Sequence, residues 1–222
     1  MRVRFRSRQG IMQLFATPAS PWVRRVMICI IELGIQDKVT TIQTRWPHSW
    51  GTHTVPFTPE FGQATPVGRI PALVTDQGLS LADSMVICDY LNAEYGQYRL
   101  LPQAGERRWR ILSQVAIANG ILEAHISRRA ELLRDPAGRS AAFLEKMKVR
   151  AQRCFVALNE DAVDFAPEPD LAQITIAAAC GFSDFRYQGD QWRATSPHLA
   201  YWYENFSQRS SMVLTRPAET PQ

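Results

Sequence analysis

The chain has 222 residues, 45% hydrophobic and 21% charged, the balance of an ordinary globular protein with enough length for one large domain or two small ones. No apolar run approaches the roughly 18 residues that span a membrane, which excludes a transmembrane helix. The formal charge of +4 is matched by Arg2, Arg4, Arg6 and Arg8 alone, so the remainder is neutral overall and gives no reason to expect a nucleic-acid partner. Residues 1–11 are expected to form a basic, disordered tail ahead of Met12, with an Arg-rich targeting segment as the alternative; no apolar stretch follows that would make a secretory signal. Cys29, Cys88, Cys154 and Cys180 occur without a CxxC pair or a zinc-like His spacing. All four are assigned to the core of a protein in a reducing, cytoplasmic compartment.

From Met12 the elements follow in order. Residues 12–16 are short and apolar and read as a strand. Ser20-Pro21 is a helix start, with Ser at the N-cap and Pro in the first turn. Val23, Val26, Met27, Ile30, Ile31 and Leu33 then recur at helical spacing until Gly34 closes the helix. The β-branched residues 39–42 read as a second strand. A long loop over 43–66 carries Trp46, His48, Trp50, His53, Phe57 and Phe61; its aromatics either roof a pocket or pack the loop down. Two histidines without neighbouring Cys or carboxylates are weak grounds for a metal, and none is expected.

Gly68 leads into Arg69-Ile70-Pro71-Ala72-Leu73-Val74, where a proline stands at the first position of a strand. An X-Pro bond is the one place where a cis peptide is inexpensive. A cis bond at Pro71 would turn the backbone of Ile70 outward, free to pair with an extended peptide. A turn at Asp76-Gln77-Gly78 and a strand over 79–81 complete a hairpin. Asp83-Ser84 then opens an amphipathic helix to about Tyr95, with Ser84 read as its N-cap. The order β-α-β, hairpin, helix is the thioredoxin-like βαβ-ββα layout.

Residues 96–104 form a linker, and beyond it the pattern is helical throughout. One long helix is expected over 106–133, interrupted at Asn119-Gly120. A second runs from Ser140 to about Val163. A capping box, Asp170 with Gln173, opens a third over 174–185, and Ser196-Pro197 opens a fourth to about Gln208. The architecture is α/β plus all-α: residues 12–95 as a thioredoxin-like domain and 105–222 as a helical domain. Two roles are open to Asn119, an approach to the active site or a break in packing.

From Met12 to about Pro217 the chain resembles the soluble bacterial glutathione S-transferases. The resemblance rests on Ser20-Pro21-Trp22-Val23-Arg24-Arg25-Val26, on Gly68-Arg69-Ile70-Pro71-Ala72-Leu73 and on Asp83-Ser84. It extends to the helix around Ala118-Asn119-Gly120-Ile121-Leu122, the helix over 177–186, and Trp202-Tyr203-Glu204. It implies a homodimeric enzyme that activates the thiol of glutathione, a co-substrate rather than a cofactor, and adds it to a hydrophobic electrophile or reduces a peroxide with it. Ser20 stands where serine-type members hold the thiolate-stabilising hydroxyl, with Thr17 the runner-up. Ile70 and Pro71 would meet the cysteinyl part of glutathione, Ser84 the γ-glutamyl carboxylate and Asp83 its ammonium. Arg69 would steer its carboxylates or simply be solvated, and Trp22 would line the electrophile site. Relatives with Cys at position 20 exchange disulfides, a step closed to a hydroxyl. The alternative to an enzyme is a non-catalytic protein that binds glutathione, a hydrophobic ligand or a partner on the same scaffold.

Overall fold

The computed structural model describes residues 10–44 and 59–219. The expectations for residues 1–9, and those for Trp46, His48, Trp50, His53 and Phe57, lie outside the described residues. Strand β1 (Met12–Ala16) runs through the middle of a four-stranded sheet of order β2-β1-β3-β4. Beside it β2 (Val39–Gln43) is parallel, with Met12 opposite Val39, and β3 (Ala72–Val74) is antiparallel, with Leu14 opposite Leu73. The hairpin closes with β4 (Ser80–Ala82), one residue further along than the sequence suggests. Every residue of β3 is buried, as a strand covered on both faces should be, whereas the edge strand β2 exposes Thr40 and Thr41.

Helix α1 (Pro21–Leu33) makes the crossover from β1 to β2. Ser20 caps it by accepting the Val23 N–H, and Gly34 ends it at φ 71°, where its N–H meets the carbonyls of Ile30 and Ile31. A helix α2 (Pro59–Ala64) lies within the stretch read as loop. Its six residues are too few to show a helical period, and Phe61 anchors it with its ring 5.6 Å from that of Phe15. The helix α3 (Ser84–Tyr95) follows β4, and its cap is Asp83, not Ser84: the Asp83 carboxylate accepts the Met85 N–H at 2.7 Å. Asn92 of α3 then holds the linker through the N–H groups of Leu100 and Leu101 and the carbonyl of Leu101.

The second half is helical: α4 (Glu106–Leu132), α5 (Ala141–Asp161), α6 (Leu171–Arg186), α7 (Trp192–Thr195), α8 (Pro197–Phe206) and α9 (Ser210–Leu214). Among the described residues no helix is long and apolar enough to cross a membrane. The capping box is present with both of its bonds, Gln173 N–H to Asp170 and Asp170 N–H to Gln173. Contrary to the expected interruption, α4 runs unbroken through Asn119-Gly120. A Cβ at Gly120 would come to 3.0 Å from Cys154 Sγ, so the glycine serves the close approach of α4 and α5 rather than a break. Cys154 at that contact is half-buried, while Cys29, Cys88 and Cys180 are core residues as expected. The short helices α7 and α9 are not foreseen by the sequence pattern.

The two halves meet along α1. Arg24, buried, reaches across Gly181 of α6, where a Cβ would overlap its Nη1, and donates to the Met212 carbonyl at 3.3 Å. Glu32 pairs with Arg209 at 2.9 Å and accepts from Ser211. Burial pushes the Glu32 carboxyl up, but Arg209 and Ser211 outweigh it and hold it below the usual carboxylate value.

Between α4 and α6, His125 is buried with Nε2 2.8 Å from Ser183 Oγ and its ring stacked 4.4 Å from Tyr187. Ser183 already donates to the Ala179 carbonyl, so His125 carries a proton on Nε2 and donates to Ser183 Oγ. Burial first, then Arg128, hold its pKa down to about 3 against the opposing charge of Asp190. An unfolded histidine titrates near 6.5, so between these values the unfolded chain binds the extra proton and stability falls as the pH is lowered. Urea denaturation between pH 5 and 6.5 should show stability declining on acidification by up to about 1.4 kcal/mol per pH unit. His125→Gln should remove most of that slope; Glu32 adds only a small part near pH 5, because its stabilisation is lost mainly below its unfolded value of 4.5.

Candidate active site

A cavity of about 680 Å³ opens between the start of α1, the loop before β3, the start of α3, and helices α4 and α6. Ser20, Trp22, Arg69, Ile70, Pro71, Asp83 and Ser84, the residues singled out from the sequence, all line it, and so does Thr17. They come from three separate loop–element junctions, brought together by the βαβ crossover and the hairpin.

Ser20 sits at the positive end of α1. Its backbone N–H is taken by Thr17 O at 3.2 Å and its Oγ accepts the Val23 N–H at 3.3 Å. A hydroxyl has one hydrogen to give as well as lone pairs to accept with. Among the described residues, that hydrogen of Ser20 has no acceptor. The Ile70–Pro71 peptide is cis, and the two residues form the adjacent wall. Asp83 adopts φ 73°, a left-handed conformation uncommon for a residue other than glycine. One of its carboxylate oxygens caps α3, while the other has no partner among the described residues. Arg69 is exposed at the rim.

The residue that sequence reasoning missed is Arg25. It is 1% exposed and lines the cavity floor, donating Nη2 to Ser84 Oγ and Nη1 to Asn119 Oδ1 at 2.9 Å. Its guanidinium lies over the Trp22 ring, 5.3 Å from the centroid. Nε has no hydrogen-bond partner, and no carboxylate lies within ion-pair distance among the described residues. Burial lowers its pKa, yet guanidinium remains charged at any working pH. Arg25 thereby settles the alternative left open for Asn119: that side chain reaches the cavity and ties α4 to α1. It also fixes Ser84, whose oxygen accepts from Arg25 and whose hydroxyl hydrogen is left to donate. No group of three or more metal-ligating side chains is found among the described residues.

The far wall is helical. Glu123, Ile126 and Arg129 of α4 face the cavity with Phe182 and Arg186 of α6, and Arg186 is held by Glu219 at 2.9 Å.

Residues 19–94 match the family model for the glutathione S-transferase N-terminal domain. A solved glutathione transferase family member from Pseudomonas fluorescens Pf-5, with bound glutathione, is 36% identical, superposes with a TM-score of 0.84, and is aligned over 94% of this chain and 100% of its own. The chain belongs to the glutathione S-transferase family. The same relative has been solved with S-(propanoic acid)-glutathione bound. A transferase from Methylobacillus flagellatus KT with glutathione bound is 27% identical, with a TM-score of 0.81 over 93% of this chain and 100% of its own. The uncharacterized GST-like protein YibF of Escherichia coli K12 is 29% identical over 93% of this chain and 98% of its own. In this transferase-family chain the matched N-terminal segment contains Ser20, Trp22, Arg69, Ile70, Pro71, Asp83 and Ser84, while Thr17 and Asn119 of the same cavity lie outside it.

Asn119→Ala would leave a buried guanidinium hydrogen without its acceptor. It should lower the unfolding free energy by about 1.5–3 kcal/mol in urea denaturation, whereas Asn119→Asp, which still offers an oxygen, should retain most of it.

Proposed function

We propose that the protein binds glutathione in this cavity and holds its sulfur as a thiolate against the Ser20 hydroxyl, for addition to a hydrophobic electrophile. The observation that carries the reading is the uncommitted hydroxyl hydrogen of Ser20 at the N-terminus of α1, on the cavity wall beside Ile70. A free thiol has a pKa near 8.5, so most of it is protonated at neutral pH. A hydrogen bond to a charged acceptor contributes about 1.5–3 kcal/mol, equivalent to one or two pKa units, and the helix N-terminus adds to it. The thiol proton leaves to solvent; the sulfur lone pair then forms the S–C bond while the acceptor's displaced electron pair takes up a proton or departs with a leaving group.

The remaining contacts follow the charges of the tripeptide. Ser84, backed by the uncompensated Arg25, suits the γ-glutamyl carboxylate, and the free oxygen of Asp83 suits its ammonium. Arg69 at the rim suits the glycyl carboxylate, and the backbone of Ile70 suits the cysteinyl peptide. Trp22 is left for the electrophile. Glutathione in two relatives, and an S-substituted glutathione in one of them, support a ligand of this kind.

An ultraviolet difference titration of bound glutathione against pH tests this. Thiolate should form one or two units below the free-thiol value. Ser20→Ala should lose that shift and about one to two orders of magnitude in kcat, with glutathione affinity within a few-fold of wild type. Bound glutathione that titrates like the free thiol would overturn the catalytic reading in favour of a ligand-binding scaffold.

A further inference from the structure

We infer that the acceptor half of the cavity is built for an electrophile with a carboxylate on an apolar body, recognised by Arg129. The inference rests on the glutathione reading above and names the class of the second substrate. Once glutathione is in place, its two carboxylates and its ammonium use the charged groups of the thioredoxin-like side: Arg25 through Ser84, Arg69 and Asp83. What is left faces them from the helical side. Together with Trp22 of α1, Ile126, Leu133 and Phe182 supply an apolar surface, and Arg129, Arg150 and Arg186 line the same part of the cavity with Glu123 and Glu219.

The three arginines are not equivalent. Arg186 is committed to Glu219. Arg150 is exposed at the rim, on the side of α5, with Glu123 also exposed on α4. Arg129 is half-buried and, among the described residues, its side chain has neither a carboxylate nor any other hydrogen-bond partner. It belongs to the last turn of α4, where the helix carbonyls favour a cation, so the fold tolerates it unpaired. A guanidinium offers a planar fork that binds a carboxylate through two parallel bonds. A neutral electrophile closing over Arg129 would strip water from it and return nothing, which costs binding; a carboxylate would replace that water with a charged acceptor.

The test is calorimetric and needs no turnover. Glutathione, S-benzylglutathione and S-(4-carboxybenzyl)glutathione are titrated into the wild-type protein and into Arg129→Gln. The carboxybenzyl adduct should bind about tenfold tighter than the benzyl adduct to wild type. Arg129→Gln should erase that preference while its glutathione affinity stays within about twofold of wild type. Equal affinity of the two adducts for wild type, or a preference that survives in Arg129→Gln, overturns the inference and leaves the glutathione reading intact. Failure of all three ligands to bind wild type overturns the glutathione reading and this inference together.

Discussion

The site depends on one buried charge. Taking a guanidinium out of water costs several kcal/mol, and Arg25 recovers part of it through Ser84 on α3 and Asn119 on α4. These two bonds fix three helices relative to one another at the floor of the cavity. They also leave a positive charge with no carboxylate within ion-pair distance among the described residues, in the one place where an anionic tripeptide would end. The fold therefore carries an electrostatic imbalance that a ligand of the right charge relieves. A neutral side chain at position 25 could fill the same volume, but it would neither orient Ser84 nor favour an anion.

The same logic runs through the two serines. Each accepts a hydrogen bond from the protein, Ser20 from the start of its own helix and Ser84 from Arg25. Their oxygens are held by those bonds, and their hydrogens remain to donate. Fixing a hydroxyl through its acceptor side keeps the donor available at no further cost in ordering, which is the preorganisation that stabilising a developing or ligand-borne negative charge requires.

What was legible in the sequence was local. Ser20-Pro21 and Gly34 delimit α1, Asp170 and Gln173 open α6, and the hairpin after Pro71 follows from its turn residues, because capping and turn chemistry act over three or four positions. What was illegible was either too short or too distant. The helices α2, α7 and α9 have six, four and five residues, less than two turns, so no apolar period can show. Asp83 and Ser84 are both good capping residues, and only the backbone decides which one caps. Gly120 reads as a break since glycine costs a helix about 1 kcal/mol against alanine; its reason is a neighbour on α5. Arg25 lies 59 residues from Ser84 and 94 from Asn119, separations that no local pattern encodes. The one available hint was Arg24-Arg25 inside a helix flanked by apolar residues on every side, where two adjacent cations have no common solvent face.

That hint extends to a reading of α1 as a whole. Its three charged side chains are all committed to other elements: Arg24 passes across α6 to the Met212 carbonyl on α9, Arg25 reaches α3 and α4, and Glu32 takes Arg209 and Ser211 at the start of α9. An apolar interface of the same area would bind the helical half as firmly but would tolerate small rotations and slides of α1, since burial is non-directional. Hydrogen bonds and ion pairs are directional, and three of them along one helix fix its rotation and its register together. The N-terminus of that helix is where Ser20 stands. The polar seam between the two halves thus does more than join them, for it determines where the Ser20 hydroxyl lies relative to Arg129 and Phe182 on the opposite wall. A site assembled from two halves keeps a constant distance between thiol and acceptor only if such a seam exists.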